Sequence, residues 1–595
     1  MDDANPATSY PAEDLDLHLR QIRLATILPG RYIDTVACNL STAYVDDLPE
    51  YYSLSYVWGD RKNPRQILLN GVPFDVTRNL QAALRRLRHP TQSRLYWIDM
   101  ICINQNLGEE RTHQVNLMRL IYSRATEVFL WLGDIAETTN QEASPALQNN
   151  DSEECLNKAE AVRAVSHIEL LATGQHLRYD AQGDEQLRLM AELRALDKLM
   201  RSTWWRRIWT VQEAILPPKV MVMVGWLQVP WATLVAAARS VPKHGLECCL
   251  GVKAAEWNIL DTFNERVAQI DYFRHRYHQG HHPYLSGLLH DFRTRSSTDS
   301  RDKIFGLLGL VTEDLKYNEL QADYSLPTDA VYRQAFIYLL QQKKSVNLLV
   351  RAIELKRTLD LPTWIPDWTA EVDEATANIE LNIIYTLHLY NASQSTQSDI
   401  VYPNTSNMLG VKGLLFDTVA TLPEALSHDP WPTEPRIEEY VKSLYENMGR
   451  PSGSYMGRES LARAFRRLFS MDKVVNVTGD SFLRATGRDY GKYPNTCLLY
   501  PLRSHNWYLP PFRFFITKKG YIGLGPRNMR VGDSIHIFLG GNLPFVLRQV
   551  PEQIGVTEPQ ETRYEYVGYC YVHGIMDGEA LEGVDVDNLG YFNLV

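Results

Sequence analysis

A chain of 595 residues is too long for one hydrophobic core and suggests roughly three or four domains. Its 45% apolar and 22% charged composition excludes a disordered polymer, and a net charge of −10 excludes a general nucleic-acid binder, which needs a clustered Lys/Arg surface. No apolar run approaches the roughly 18 residues that cross a bilayer, so no membrane span is expected.

The first residues, "MDDANPATSYPAEDLD", are acidic where a secretory signal would be basic and then apolar. Seven cysteines without a Cys-x-x-Cys pair fit a reducing compartment. The expected location is cytoplasmic.

Residues 1–48 mix short apolar runs with Pro and Asp and read as a loose lead-in. Order is expected from Tyr51, where "YYSLSYVWGD" is a buried strand stopped by Trp58, Gly59 and Asp60. In "QILLNGVPFDVT" the pair Asn70-Gly71 predicts a hairpin, because both residues tolerate positive φ. Thr77 then N-caps a helix with Leu80, Leu84 and Leu87 on one face, ending before Pro90. "RLYWIDMICI" reads as a buried strand running into a polar loop, "NQNLGEERTHQVNLMRLIYSRA" has Val115, Met118, Ile121, Tyr122 and Ala125 at helical spacing, and "EVFLWLG" is the next strand. Strands alternating with helices specify an α/β domain with a mostly parallel sheet over residues 49–230.

Residues 135–200 are polar, then helical, and read as an insertion in that domain. "WWRRIWTVQEAIL" is predicted as one helix ending at Pro217-Pro218, with "KVMVMVGW" as the last strand. Residues 231–404 look mainly helical. From 405 to 595 evenly spaced short strands with Gly between them predict a β-rich barrel or sandwich, with a helical insertion near 432–472.

These elements place polar residues at one edge. Trp58, Gly59 and Asp60 follow one strand, and Asp99, Asn104 and Gln105 follow another, at the carboxyl ends where α/β sheets bind ligands. Gly59 allows a close backbone turn and Trp58 offers a stacking face for a base; a buried Trp and a turn Asp is the plainer alternative. Glu110, Arg111 and Gln114 open a helix, as ligand contacts or as capping and dipole partners. Trp205, Trp209 and Glu213 recur at i, i+4 and i+8, one face of a helix.

The blocks "LSYVWGD", "LYWIDMICINQ" with "EERTHQVNLMRLIYSRA" and "VFLWLGD", and "WWRRIWTVQE" resemble, in this order, the fungal HET (heterokaryon incompatibility) domain. "SRDKIFGLLGL", "LPTWIPDW" and "YVHGIMDGE" are similar to segments that accompany it. The resemblance implies a role in self/non-self recognition leading to arrest or death of fused cells. It also implies distant kinship with TIR domains, a flavodoxin-like fold whose active members cleave NAD using one glutamate on a helix after a tryptophan. "WTVQEAI" is similar to that helix, which makes Glu213 the candidate catalytic residue. Trp58, Gly59, Asp60, Asp99, Asn104, Gln105, Arg111 and Trp209 are then candidate contacts for NAD, as substrate rather than cofactor; no cofactor is required.

Cleaving the nicotinamide–ribose bond asks little of a protein, because the leaving group is already cationic and needs no general acid. A carboxylate beside the sugar can stabilise the developing oxocarbenium ion. The plainer alternative has Glu213 pairing with Arg206 or Arg207 among core tryptophans. A second function class stands beside the enzyme: a non-catalytic signalling scaffold that self-associates on activation or recruits an allelic or signalling partner. "HRYHQGHH" lacks the Cys or acidic partners of a zinc site, and "GRDYGK" lacks the spacing of a phosphate loop.

Overall fold

The computed structural model describes residues 10–135, 156–175, 184–244, 254–311, 320–351, 361–371, 383–402, 407–423, 454–475, 482–485, 512–551 and 561–595, with isolated positions between 439 and 446. "GRDYGK" and Cys248-Cys249 lie outside the described residues. The chain divides into two compact units, residues 1–327 and 328–595. The division therefore falls inside the segment read as one helical region.

The first unit is built on a nine-stranded mixed sheet of β1 (Gln21–Ile27), β2 (Ala37–Tyr44), β3 (Tyr52–Ser55), β4 (Arg65–Leu69), β5 (Val72–Val76), β6 (Arg94–Trp97), β7 (Glu127–Trp131), β8 (Val220–Val224) and β9 (Leu227–Pro230), ordered β5-β4-β2-β1-β6-β3-β7-β8-β9. Its centre, β6-β3-β7-β8, is parallel throughout: Tyr52 faces Tyr96 on one side and Glu127 on the other, and Val128 faces Val220. Numbered by appearance among themselves, these four strands run 2-1-3-4, the doubly wound flavodoxin order. Outside that centre β1 is antiparallel to both β2 and β6, and β9 is antiparallel to β8. The lead-in expected over 1–48 thus supplies two strands of the sheet. Ile22, Leu24, Ala25 and Ile27 of β1 are buried, a short apolar run that the neighbouring Pro and Asp residues obscure.

The local chemistry explains the elements. Asn70 and Gly71 take φ of 52° and 78° and close the β4–β5 hairpin. Helix α1 (Arg78–Leu87) starts at Thr77, whose hydroxyl accepts the Leu80 N–H, and buries Leu80, Ala83, Leu84 and Leu87. The strand expected from "RLYWIDMICI" stops at Trp97, and Asp99–Cys102 turns into the short helix α2. Helix α3 (Gly108–Arg124) buries Glu110 in its first turn, where Arg23 of β1 holds both carboxylate oxygens at 2.6 and 3.1 Å.

From the insertion, α4 (Lys158–Ala172) and α5 (Asp184–Met200) add no strand and pack on α7 (Trp231–Lys243) and α8 (Ala254–His278). A one-turn 3₁₀ segment, Thr203–Arg206, precedes α6 (Thr210–Ile215); α9 (Leu285–Asp291) and α10 (Asp302–Leu308) complete the unit.

The second unit opens with α11 (Thr328–Lys343), and α12 (Leu461–Phe469) and the ribbon β12 (Lys473–Val475)–β13 (Phe482–Arg484) fall inside its β region. That region comprises β10 (Ile400–Val401), β11 (Leu409–Thr421), β14 (Phe512–Thr517), β15 (Ile522–Pro526), β16 (Ser534–Phe538), β17 (Phe545–Gln549), β18 (Arg563–Tyr569), β19 (Tyr571–Val572) and β20 (Tyr591–Leu594). The order β16-β17-β18-β20-β11 closes into a barrel because β11 also pairs with β16. Its core gathers Phe416, Val419, Ile535, Ile537, Val546 and Val567. Among the described residues no helix is long and apolar enough to cross a membrane.

Candidate active site

The carboxyl end of β3 is the point where the chain, having placed β6 on one side, returns to place β7 on the other. Open α/β sheets form their crevice there. β3 is apolar except for Ser53 and Ser55, both fully buried. Ser55 Oγ lies 2.5 Å from Glu213 Oε2 and accepts the Trp204 indole N–H at 2.8 Å. With the indole N–H occupying the hydroxyl oxygen, the Ser55 proton is left to point at the carboxyl. Glu213 is only 5% exposed.

Glu213 is aimed by a break in the chain. The predicted continuous helix does not form: Arg207 is extended (φ −79°, ψ 140°) and bridges Ser296, whose carbonyl accepts the Ile208 N–H at 3.0 Å. Thr210 Oγ1 lies 2.9 and 2.7 Å from the carbonyls of Trp204 and Arg207, tying the two sides of the break together. Helix α6 then starts afresh, so i, i+4, i+8 no longer share a face. Trp204, not Trp205 or Trp209, reaches the carboxyl's surroundings. Trp205 instead packs edge-on against Trp204 at 4.9 Å and beside Trp231.

Around this pair the site is completed from three elements. Arg207 donates to the Tyr56 carbonyl at 2.9 Å and bears on Glu213, as does the Tyr122 hydroxyl of α3. Asp99, at the start of α2, accepts the Trp58 indole N–H at 2.6 Å, and its own carbonyl is held by Gln105 at 3.1 Å. Burial pushes the Glu213 carboxyl up to about 7, and the Asp99 charge adds to the rise; Arg207, Ser55 and Tyr122 oppose it. Burial also raises Asp99, against Trp58, Arg207 and Tyr56, although Asp99 keeps some solvent contact. Two carboxyls that ionise reluctantly, with one arginine acting on both, mark a site able to hold or release a proton near neutral pH.

Of the residues singled out from the sequence, Glu213, Asp99, Trp58 and Gln105 come together here. Gly59 makes the turn at φ 76°, where a Cβ would sit 3.6 Å from that of Asn79. Arg61 stacks on Trp58 at 4.3 Å. Asp60 is exposed and accepts the Lys62 N–H, away from the cluster. Asn104 belongs to the buried Arg23–Glu110 pair, its N–H donating to Glu110 at 2.7 Å. Gln114 donates to the Gln21 carbonyl. Arg111 and Trp209 turn to a separate network: Arg111 lies 3.8 Å above the Tyr324 ring, and Trp209 and Tyr324 both hydrogen-bond Asp302.

Ser55, Tyr56, Tyr122 and Trp204 were not singled out, and Arg207 entered only as a pairing partner for Glu213. A serine inside an apolar strand was the available signal for Ser55. Among the four clustered histidines, His278 is 3.1 Å from the Ile215 carbonyl and His275 3.0 Å from Gln279. No group of three His, Cys, Asp or Glu side chains is placed for a metal among the described residues.

Residues 51–213, from the start of β3 to the buried glutamate, match the family model described as "Heterokaryon incompatibility protein (HET)", and residues 509–589 match the "Het-6 beta-barrel domain". In these two segments the chain is similar to heterokaryon incompatibility (HET) proteins. It is 24% identical to "Heterokaryon incompatibility protein 6, OR allele" of Neurospora crassa over 669 aligned positions, covering 96% of each chain. No solved structure matches it. The HET domain as matched spans β3 to α6 and contains every side chain of the site described above. The barrel match takes in β14 to β19.

Proposed function

We propose that this protein is an effector of fungal incompatibility and that its HET domain hydrolyses the nicotinamide–ribose bond of NAD. The observation that carries the reading is Glu213, a buried carboxyl held by Ser55 and acted on by Arg207 at the ligand-binding edge of the sheet. In its ionised form it stabilises positive charge on the ribose as the C1′–N bond breaks and the electron pair leaves with nicotinamide. Water then adds to C1′ and its proton passes to Asp99 or solvent. The dry surroundings make the electrostatic effect large.

Trp58, partly exposed and stacked by Arg61, supplies a face for a base, and the "RKNPRQ" loop after it supplies positive charge for the diphosphate. Activation by self-association, with an allelic or signalling partner, and action in the cytoplasm belong to the same proposal. The test measures nicotinamide release and cell death for wild type and Glu213→Gln. Loss of one donor or charge at such a site typically lowers the rate by about 10² to 10³. Full killing by a stably folded Glu213→Gln protein would remove the enzymatic reading.

A non-catalytic scaffold is the second reading, favoured by the 5% exposure of Glu213 and by the engagement of Arg111 and Trp209 elsewhere. It requires that Glu213→Gln leave death intact.

A further inference from the structure

Helix α6, which carries Glu213, is six residues long and runs almost directly into Pro217-Pro218. A helical carbonyl is answered by the amide four residues on, and for Glu213 and Ala214 those positions are the two prolines, which have no N–H. So short a helix does not hold its own geometry. Its start is fastened from outside, by Trp209 on Asp302 and by Thr210 on the carbonyls of Trp204 and Arg207. Its end is fastened by α8. Arg274 Nη1 donates to the carbonyls of Ala214 at 2.5 Å and Ile215 at 3.5 Å, and Nη2 donates to that of Pro218 at 3.1 Å. His278, one turn further along α8, lies 3.1 Å from the Ile215 carbonyl.

Arg274 is a costly group to place here. It is 9% exposed, and among the described residues its guanidinium bonds only backbone carbonyls. Asp271, one turn earlier, acts on it but is engaged by Trp231 at 3.3 Å and Arg239 at 3.1 Å. Burial lowers Arg274 only to about 10, so it stays charged. A buried cation without a bonded carboxylate lowers stability, and a neutral donor would cap a helix at less cost. What the guanidinium adds is reach, because its rigid fork holds carbonyls on both sides of Pro217 at once. The contact at stake is short. Ser55 and Glu213 lie 2.5 Å apart, and a displacement of about 1 Å at the end of α6 takes them out of hydrogen-bond range.

We propose that Arg274 is a positioning residue for Glu213: by gripping the carbonyls of Ala214, Ile215 and Pro218 in place of the amides that the prolines lack, it keeps the carboxyl on Ser55 and out of water. It acts through the backbone of α6 and touches no substrate, and the role holds whether or not NAD is the substrate. Arg274 lies outside residues 51–213, the span of the HET match.

The test measures the urea midpoint of the full chain at pH 5 and pH 8, with and without Glu213→Gln, in wild type, Arg274→Met and Arg274→Lys. In wild type the carboxyl, buried beside Asp99, Arg207, Tyr56 and Tyr122, ionises against its surroundings, so the midpoint gained through Glu213→Gln should grow from pH 5 to pH 8. In Arg274→Met the end of α6 is released and Glu213 meets water, so that growth should fall by about half or more. Arg274→Lys, which keeps the charge and one donor, should fall in between. Loss of a cation alone acts the other way, holding the carboxyl protonated to higher pH and enlarging the growth. If Arg274→Met lowers every midpoint equally and leaves the growth unchanged, Arg274 is a plain helix cap; if the growth enlarges, its role is electrostatic. Either result overturns the proposal, as does the absence of any growth in wild type. If Arg274→Met does not fold, an unchanged growth in Arg274→Lys overturns it. No NAD is present in these measurements, so failure of the enzymatic reading leaves their outcome untouched.

Discussion

Replacing Glu213 by Gln should change the stability of the protein in a pH-dependent way, and the sign is opposite to that of an ordinary surface carboxylate. The carboxyl ionises near 4.5 when unfolded and near 7 when folded. Between those values the unfolded chain has released a proton that the folded chain still holds, so stability falls as pH rises through this window. Moving the ionisation from 4.5 to about 7 corresponds to about 3 kcal/mol, fully lost above pH 7 and fully retained below 4.5. Gln is close in shape to the protonated acid and does not titrate. Glu213→Gln should therefore match wild type near pH 4.5 and exceed it by up to ~3 kcal/mol at pH 8. Urea unfolding of both full-length proteins at pH 5, 6, 7 and 8, followed by tryptophan emission, reads the difference directly. A gap that stays constant with pH, or a Gln variant that is less stable at pH 8, would refute the reasoning, since either shows that the ionised carboxylate is the form the fold favours.

Further tests bear on the neighbouring groups. If the ionised carboxylate is the working form, NAD turnover by wild type should rise with pH through about 7, and a flat profile over pH 6–8 argues against it. Asp99→Asn removes a like charge from beside Glu213, so the midpoint of that profile should move to lower pH; an unmoved midpoint means the two carboxyls do not communicate. Glu110→Gln leaves Arg23 buried against a neutral partner and should cost about 3–5 kcal/mol in urea unfolding, whereas the double change Arg23→Met, Glu110→Leu should recover much of the loss.

The parallel centre of the sheet was legible because its strands are short apolar runs alternating with helical segments, and the β4–β5 hairpin because Asn70-Gly71 is turn chemistry local in sequence. β1 and β2 were not, although they pair with each other, because the apolar run of β1 is short and set among Pro and Asp residues and β2 buries few of its side chains. Asp99 and Trp58 were singled out by residue type and position at strand ends, and Glu213 by the resemblance of "WTVQEAI" to the TIR helix. Trp204 was missed because helical periodicity carries straight through "WWRRIWTVQE" and the tertiary bridge to Ser296 overrides it, and Ser55 because a serine within a short strand carries little signal of its own. The side chain that contacts Ser55 is accordingly Trp204, one place before the tryptophan that periodicity selects.

That bridge separates what is recognisable from what can stand alone. The matched span ends at Glu213, yet Ser296, whose bridge keeps Arg207 out of the helix, lies more than eighty residues later. A fragment cut just after the matched span would lose the contact that opposes the local helical preference of "WWRRIWTVQE". Its cheapest conformation would be the continuous helix, with Glu213 turned to a different face and Ser55 left without its acid. A recombination event that moved only the recognisable block into another protein would carry the residues of the site without their arrangement. The stretch from 294 to 296 therefore has to travel with the HET block, and its separation from that block in sequence sets the smallest piece of this protein that can be inherited in working order.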